Sequence, residues 1–246
     1  MTSSMQNDGG TGGSVNILGV IPARGGSKVI PGKNLAAVAG RPLLAWTADA
    51  ARASRTLTRT VLSTDDEAIA GAGRSMGLDV PFLRPAELAR DDTPILPVLR
   101  HLLDALALAE GYRADSIVLL QPTSPLRRAE HIDAAVDLLL ATGADSVVSV
   151  VPVPHQFSPV SVLRDVGGRL VPYLDGPTVM RRQDKPVLYA RNGPAVLAVR
   201  RHTIERGSLY GGDSRPLVMS PDDSIDIDSP SDLELADWLL RKRMGG

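Results

Sequence analysis

Three cations and two carboxylates set the chemistry open to this chain. Arg24, Lys28 and Lys33 fall within ten residues, on a segment running from Ala23 through Gly25, Gly26, Ser27 and Pro31 to Asn34. So much glycine and proline rules out a helix there, while paired glycines allow several backbone N–H groups to point at one anion. Cations at that density suit a triphosphate. Near the other end, Asp226 and Asp228 stand one residue apart. In extended backbone both carboxylates face the same side, about 6 to 7 Å apart at roughly 3.3 Å rise per residue. Ile225 and Ile227 are then free to bury the opposite face. Magnesium takes one or two carboxylates and completes its shell with phosphate oxygens and water, so the pair reads as a Mg2+ site.

Each motif also has a plainer reading. A strand followed by a basic glycine-rich turn is common in α/β proteins, and an Asp/Ser cluster before a helix serves as a cap, the role assigned here to Asp232. Neither the G-x-x-x-x-G-K-[ST] phosphate loop nor the G-x-G-x-x-G dinucleotide fingerprint is present. Taken together, however, the loop cations and the aspartates are two halves of one site. The cations would neutralise the β- and γ-phosphates as pyrophosphate leaves, and the metal would hold the α-phosphate and lower the pKa of an attacking hydroxyl. In-line phosphoryl chemistry needs no protein nucleophile, which agrees with a chain that has no cysteine.

The elements that must position these groups alternate. The apolar run from Val15 to Pro22 reads as a buried strand emptying into the loop, and Arg41-Pro42 opens a helix with proline in its first turn. A strand at 59–64, a helix at 67–76 closed by Gly77, and a helix from Thr93-Pro94 to about Ala109 with Thr93 as N-cap follow. The continuous apolar run Ser116 to Leu120 belongs at the centre of a sheet. A helix at 129–140, a strand at 146–151, strands at 194–199 and 216–220, and a terminal helix near 233–240 complete the pattern. This predicts an α/β, Rossmann-like, mostly parallel sheet with flanking helices. Residues 1–14 read as a disordered leader and 15–246 as one domain. The proline-rich stretch 152–191 interrupts the alternation and reads as an interaction arm.

With 246 residues and 43% hydrophobic content the chain can bury a sizeable core. Net charge is −1 and aromatics are 3%, which speaks against a nucleic-acid partner. No stretch approaches the length of a membrane span. The expected location is cytoplasmic.

The run from Ile21 to Asn34 resembles the opening motif of the acylneuraminate cytidylyltransferases, the CMP-sialic acid synthetase family. Leu83 to Leu88, Gln121 to Arg127 and Asp226 to Asp232 are similar to three further motifs of that family, in the same order. The resemblance implies CTP plus a nine-carbon acidic sugar giving a CMP-sugar and pyrophosphate. It implies Arg24 and Lys33 as catalytic cations, and Ala23, Gly25, Gly26, Ser27, Lys28 and Asn34 around the nucleotide. By the same resemblance Arg84 would read the cytosine base, and Gln121, Thr123, Ser124, Arg182 and Asn192 would border the sugar. Asp228 is the principal Mg2+ ligand, and Asp226 is a ligand or hydroxyl activator. In that family the region corresponding to the 152–191 arm crosses to a second subunit, which implies a homodimer. Departures fall on the sugar side: the family's Asn-Gly-Ala-Ile-Tyr is replaced by Asn192-Gly193-Pro194-Ala195-Val196, Ala190 stands where arginine is frequent, and Phe157-Ser158-Pro159 where some members have lysine. The expected acceptor is a nonulosonic acid of the sialic type, ordinary sialic acid or a relative of it. The alternatives are GTP with a sugar 1-phosphate on the same fold, and an inactive sugar-nucleotide-binding paralogue.

Overall fold

The computed structural model describes residues 15–175 and 181–245, so the leader at 1–14 lies outside the described residues. Strand β1 (Ile17–Pro22) is buried on both faces. Its odd-numbered side chains Ile17 and Ile21 enter one core and Leu18 and Val20 another, as the twofold period of a strand requires. The phosphate-loop segment ends in a 3-10 turn, Lys33–Leu35, and a two-residue pair, β2 (Ala37–Val38) with β3 (Arg41–Pro42). This pairing corrects one expectation. Pro42 is held extended at φ −53°, ψ 140° as the N-cap of α1 (Leu43–Ala53), outside the helix's first turn.

Strand β4 (Arg59–Ser63) leads to α2 (Glu67–Ser75), whose N-cap Asp66 accepts from the N–H groups of Ala68 and Ile69. Helix α3 (Ile95–Glu110) is capped by Pro94 backbone, and Thr93 donates its hydroxyl to the Glu87 carbonyl, which removes it from the cap. Then come β5 (Ser116–Leu119), α4 (Ala129–Thr142) and β6 (Ser146–Pro152). An exposed hairpin, β7 (Leu163–Val166) with β8 (Arg169–Pro172), occupies the arm, and β9 (Tyr189–Arg191) returns to pair with β6. Strand β10 (Leu197–Arg200) starts later than expected because Gly193 turns the chain at φ +116°, although Ala195 and Val196 are fully buried. Short α5 (Arg201–Glu205), β11 (Ser214–Val218) and α6 (Pro230–Met244) finish the described chain.

The sheet order is β11-β6-β10-β5-β1-β4. Strands β4, β1 and β5 run parallel, β6 and β11 run parallel, and β10 is antiparallel to both neighbours. The expected mostly parallel sheet is thus present, with β5 inside it. Side chains from α1, α2 and α4 join the core on one face, and those from α3 and α5 join the core on the other. A third cluster lets α6 hold the aspartate segment: Ile227, Ala236 and Leu240 pack with Val38, Leu43 and Leu126. Every loop needed for the site leaves the carboxyl end of β1, β4 or β5, or is pressed against one that does.

Candidate active site

At that edge lies a cleft of about 570 Å³. Arg24, Gly26, Ser27, Lys28, Lys33 and Asn34 line it from the β1 loop, Arg84 from the loop after α2, Gln121 and Thr123 from the end of β5, and Asp226 and Asp228 from the segment before α6. Arg24 and Asp228, 204 positions apart (228 minus 24), therefore line one cleft.

The geometry of each group follows from what holds it. Asn34 is buried and donates to the Arg24 carbonyl at 2.9 Å, which folds the phosphate loop back on itself. Gly25 lies so close to the N-cap of α2 that a Cβ would come within 2.6 Å of an Asp66 carboxylate oxygen, so a larger residue would push Asp66 aside. Its N–H donates to Asp65 at 3.1 Å. Asp65 also meets the buried Arg84 at 3.5 Å, tying the nucleotide loop to the expected base reader. Burial pushes the Arg84 guanidinium below its ordinary pKa, Asp65 opposes this, and nearby Arg24 adds to it. Arg84 Nε has no partner among the described residues. Burying a donor this way is costly unless a ligand completes it.

The aspartates are pinned from two directions. The Ile227 N–H donates to the Thr123 carbonyl at 2.9 Å, and Lys33 Nζ donates to the Ile227 carbonyl at 2.7 Å while standing 3.7 Å from Asp228. Ile227 is fully buried and Ile225 partly so, as the alternating pattern suggested, though the segment forms no strand. Asp228 is solvent-exposed, whereas burial raises the Asp226 carboxyl above its ordinary range against the opposing Thr123 hydroxyl. Asp226 Oδ1 is buried without a hydrogen-bond partner among the described residues. An orphaned carboxylate oxygen next to an exposed carboxylate fits the donor set of a hard cation that keeps water and phosphate in its remaining positions. Asp232 closes a capping box with Ser229.

Several expected site residues stand elsewhere. Ala23 is buried and continues the strand, donating to Ser63 at 2.9 Å. Gly25 lies outside the lining, with its N–H already committed. Ser124 is fully buried beneath the floor. Asn192 is saturated internally, accepting from Ser149 Oγ at 2.6 Å and donating to Ser224 Oγ at 2.9 Å. Arg182 belongs to the 3-10 turn Arg182–Asp184, and its side chain lies outside what the structure describes. The cleft also contains Leu88 and Thr93, together with Arg90 and Asp91, of which the last two carried no sequence signal beyond an ordinary polar loop. Beneath the floor, buried Arg127 donates to the carbonyls of Gln121 at 3.0 Å and Ala195 at 2.7 Å and to Thr47 Oγ1 at 2.6 Å. Gln121 in turn donates to the Gly193 carbonyl at 2.9 Å, so the β5 end and the loop before β10 form one wall.

A mostly parallel sheet with a cationic loop after its first strand and paired aspartates across the cleft defines a nucleotidyltransferase. A sequence model described as cytidylyltransferase matches residues 18–242, and the chain belongs to that family. It is 38% identical over 227 residues to a CMP-N,N'-diacetyllegionaminic acid synthase of Legionella pneumophila, covering 92% of this chain and 97% of that protein. It is 32% identical over 228 residues to an N-acylneuraminate cytidylyltransferase of Escherichia coli, of which it spans only 52%. Among solved structures, a CMP:2-keto-3-deoxy-manno-octonic acid synthetase complexed with CTP superposes with a TM-score of 0.69 at 18% identity, covering 93% of this chain and 99% of the other, which establishes shared fold.

Proposed function

We propose that the protein transfers CMP from CTP to a hydroxyl of a nine-carbon acidic sugar of the sialic or legionaminic type, releasing pyrophosphate. The observation that carries this reading is the meeting of Arg24, Lys28, Lys33, Asp226 and Asp228 in one cleft. The hydroxyl oxygen attacks the α-phosphorus, the bond to the β-phosphate oxygen breaks, and pyrophosphate leaves with that electron pair. Arg24 and Lys28 offset charge on the leaving phosphates. Lys33, fixed by the Ile227 carbonyl, orients the phosphate loop against the aspartates. Asp226, whose burial raises its proton affinity, is suited to receive the hydroxyl proton. Magnesium bound at Asp228 and Asp226 would polarise the α-phosphate and acidify the hydroxyl.

The acceptor reading is supported by the similarity to a legionaminic acid synthase and by the sugar-side departures. At the position of the family's tyrosine, Val196 is fully buried in the sheet core and offers no hydroxyl. A homodimer is proposed on the arm: Leu163, Leu170, Tyr173 and Tyr189 are all exposed large hydrophobics, the profile of a surface awaiting a partner. Pyrophosphate release with magnesium, crossing CTP and GTP against diacetyllegionaminic acid, N-acetylneuraminic acid and sugar 1-phosphates, tests the assignment. Turnover with CTP and an acidic sugar is expected, and turnover only with GTP and a sugar 1-phosphate would overturn it. Sedimentation at micromolar concentration should show a dimer.

A further inference from the structure

The cations assigned to the triphosphate already hold an anion. Asp91, in the loop between the 3-10 turn Ala86–Leu88 and α3, places one carboxylate oxygen 2.5 Å from Arg24 Nη1 and the other 2.5 Å from Lys28 Nζ. It spans two cations with two oxygens, as a phosphate group would. Asp91 is itself part of the cleft lining, so the contact lies inside the site. Lys28 is otherwise a largely exposed side chain, 83% accessible, on a loop with little to order it. Arg24 stands near enough to Arg84 to disfavour its charge. An empty cleft with these cations unscreened would repel itself, and Asp91 relieves that repulsion.

We propose that Asp91 is a displaceable internal counter-ion, which competes with the β- and γ-phosphates of CTP and with pyrophosphate for Arg24 and Lys28. This rests on the reading of the loop as a triphosphate site. Asp91 thereby sets nucleotide affinity and eases product departure: as pyrophosphate loosens, the carboxylate takes its place on the cations. Only ligands that need those two cations are handicapped. CMP, which carries the α-phosphate alone, is not. Two solvent-exposed ion pairs are modest, so the handicap is about three- to tenfold in affinity.

The test is calorimetric binding of CTP, inorganic pyrophosphate and CMP to wild type, Asp91→Asn and Arg24→Met, with folding of each variant checked by circular dichroism. Asp91→Asn is expected to bind CTP and pyrophosphate about three- to tenfold more tightly, with CMP unchanged. Equal or weaker CTP binding overturns the proposal, as does an equal gain for CMP. Arg24→Met separates the two levels. If it binds CTP as well as wild type does, the triphosphate reading itself fails. If it loses CTP affinity while Asp91→Asn gains none, the loop reading stands and the counter-ion inference alone is refuted.

Discussion

Arg127→Met should separate the floor of the cleft into two independent walls. Arg127 is 3% exposed and has no carboxylate partner among the described residues, and burial drags its pKa down to about 9. Its value lies in the acceptors it satisfies: the carbonyls of Gln121 and Ala195 and the hydroxyl of Thr47. Methionine keeps much of the volume and donates nothing. Two buried carbonyls then lose a donor, at about 1–3 kcal/mol each. Removing a buried, unpaired cation returns part of that cost. A net loss of about 2–3 kcal/mol is expected, which at a urea slope of about 2–3 kcal/mol/M lowers the midpoint by about 1 M. Because Gln121 also holds the Gly193 carbonyl, the loosened wall is the one proposed to face the sugar. KM for the sugar should therefore rise more than KM for CTP, and Arg127→Lys, which can still reach some of the acceptors, should recover part of both effects. A methionine variant with wild-type midpoint and unchanged sugar KM would refute the idea that Arg127 orders this wall.

Other substitutions separate stability from activity. Asp226→Asn removes a carboxylate whose Oδ1 is buried without a partner among the described residues, so thermal stability should hold or rise while turnover falls by about 10²-fold or more. Gly73→Ala places a methyl 2.2 Å from Leu62 Cδ2 in the α2–β4 contact and should cost about 1–3 kcal/mol by overpacking, leaving both KM values unchanged. Asp145 accepts from the Asp213 and Gly212 N–H groups and meets His202, which hold its carboxyl down to about 2. A depressed carboxyl contributes stability that is full above its unfolded value near 3.9 and is lost as pH falls toward 2. The stability gap between wild type and Asp145→Asn should therefore close across that window in acid unfolding curves.

The sheet was readable because its inner strands are buried on both faces and so appear as unbroken apolar runs, as at Ser116–Leu119. The cleft's outer members were readable for another reason: clustered cations and alternating aspartates have few structural uses. Asn192 shows where such reading stops. A small polar residue beside a substrate loop can face the ligand or satisfy buried groups with equal ease, and Asn192 spends its amide on Ser149 and Ser224. Asp91 and Asp65 carried no spacing signal, since their partners lie 67 and 40 positions earlier (91 minus 24, 65 minus 25). Pro42 was displaced from the helix by a two-residue pairing too short to leave a pattern.

Lys33 reaches across 194 positions to the Ile227 carbonyl. The anion-seeking loop belongs to the first sixth of the chain, and the carboxylates facing it belong to the last tenth. During synthesis, then, no partial chain can offer a nucleotide both sides of its pocket, and the sheet can begin to assemble long before anything binds it. A ligand that recognises only the joined loop and aspartate segment stabilises only the finished fold. Nucleotide in the surrounding solution would act as a clasp that closes last and draws the final helix onto the molecule.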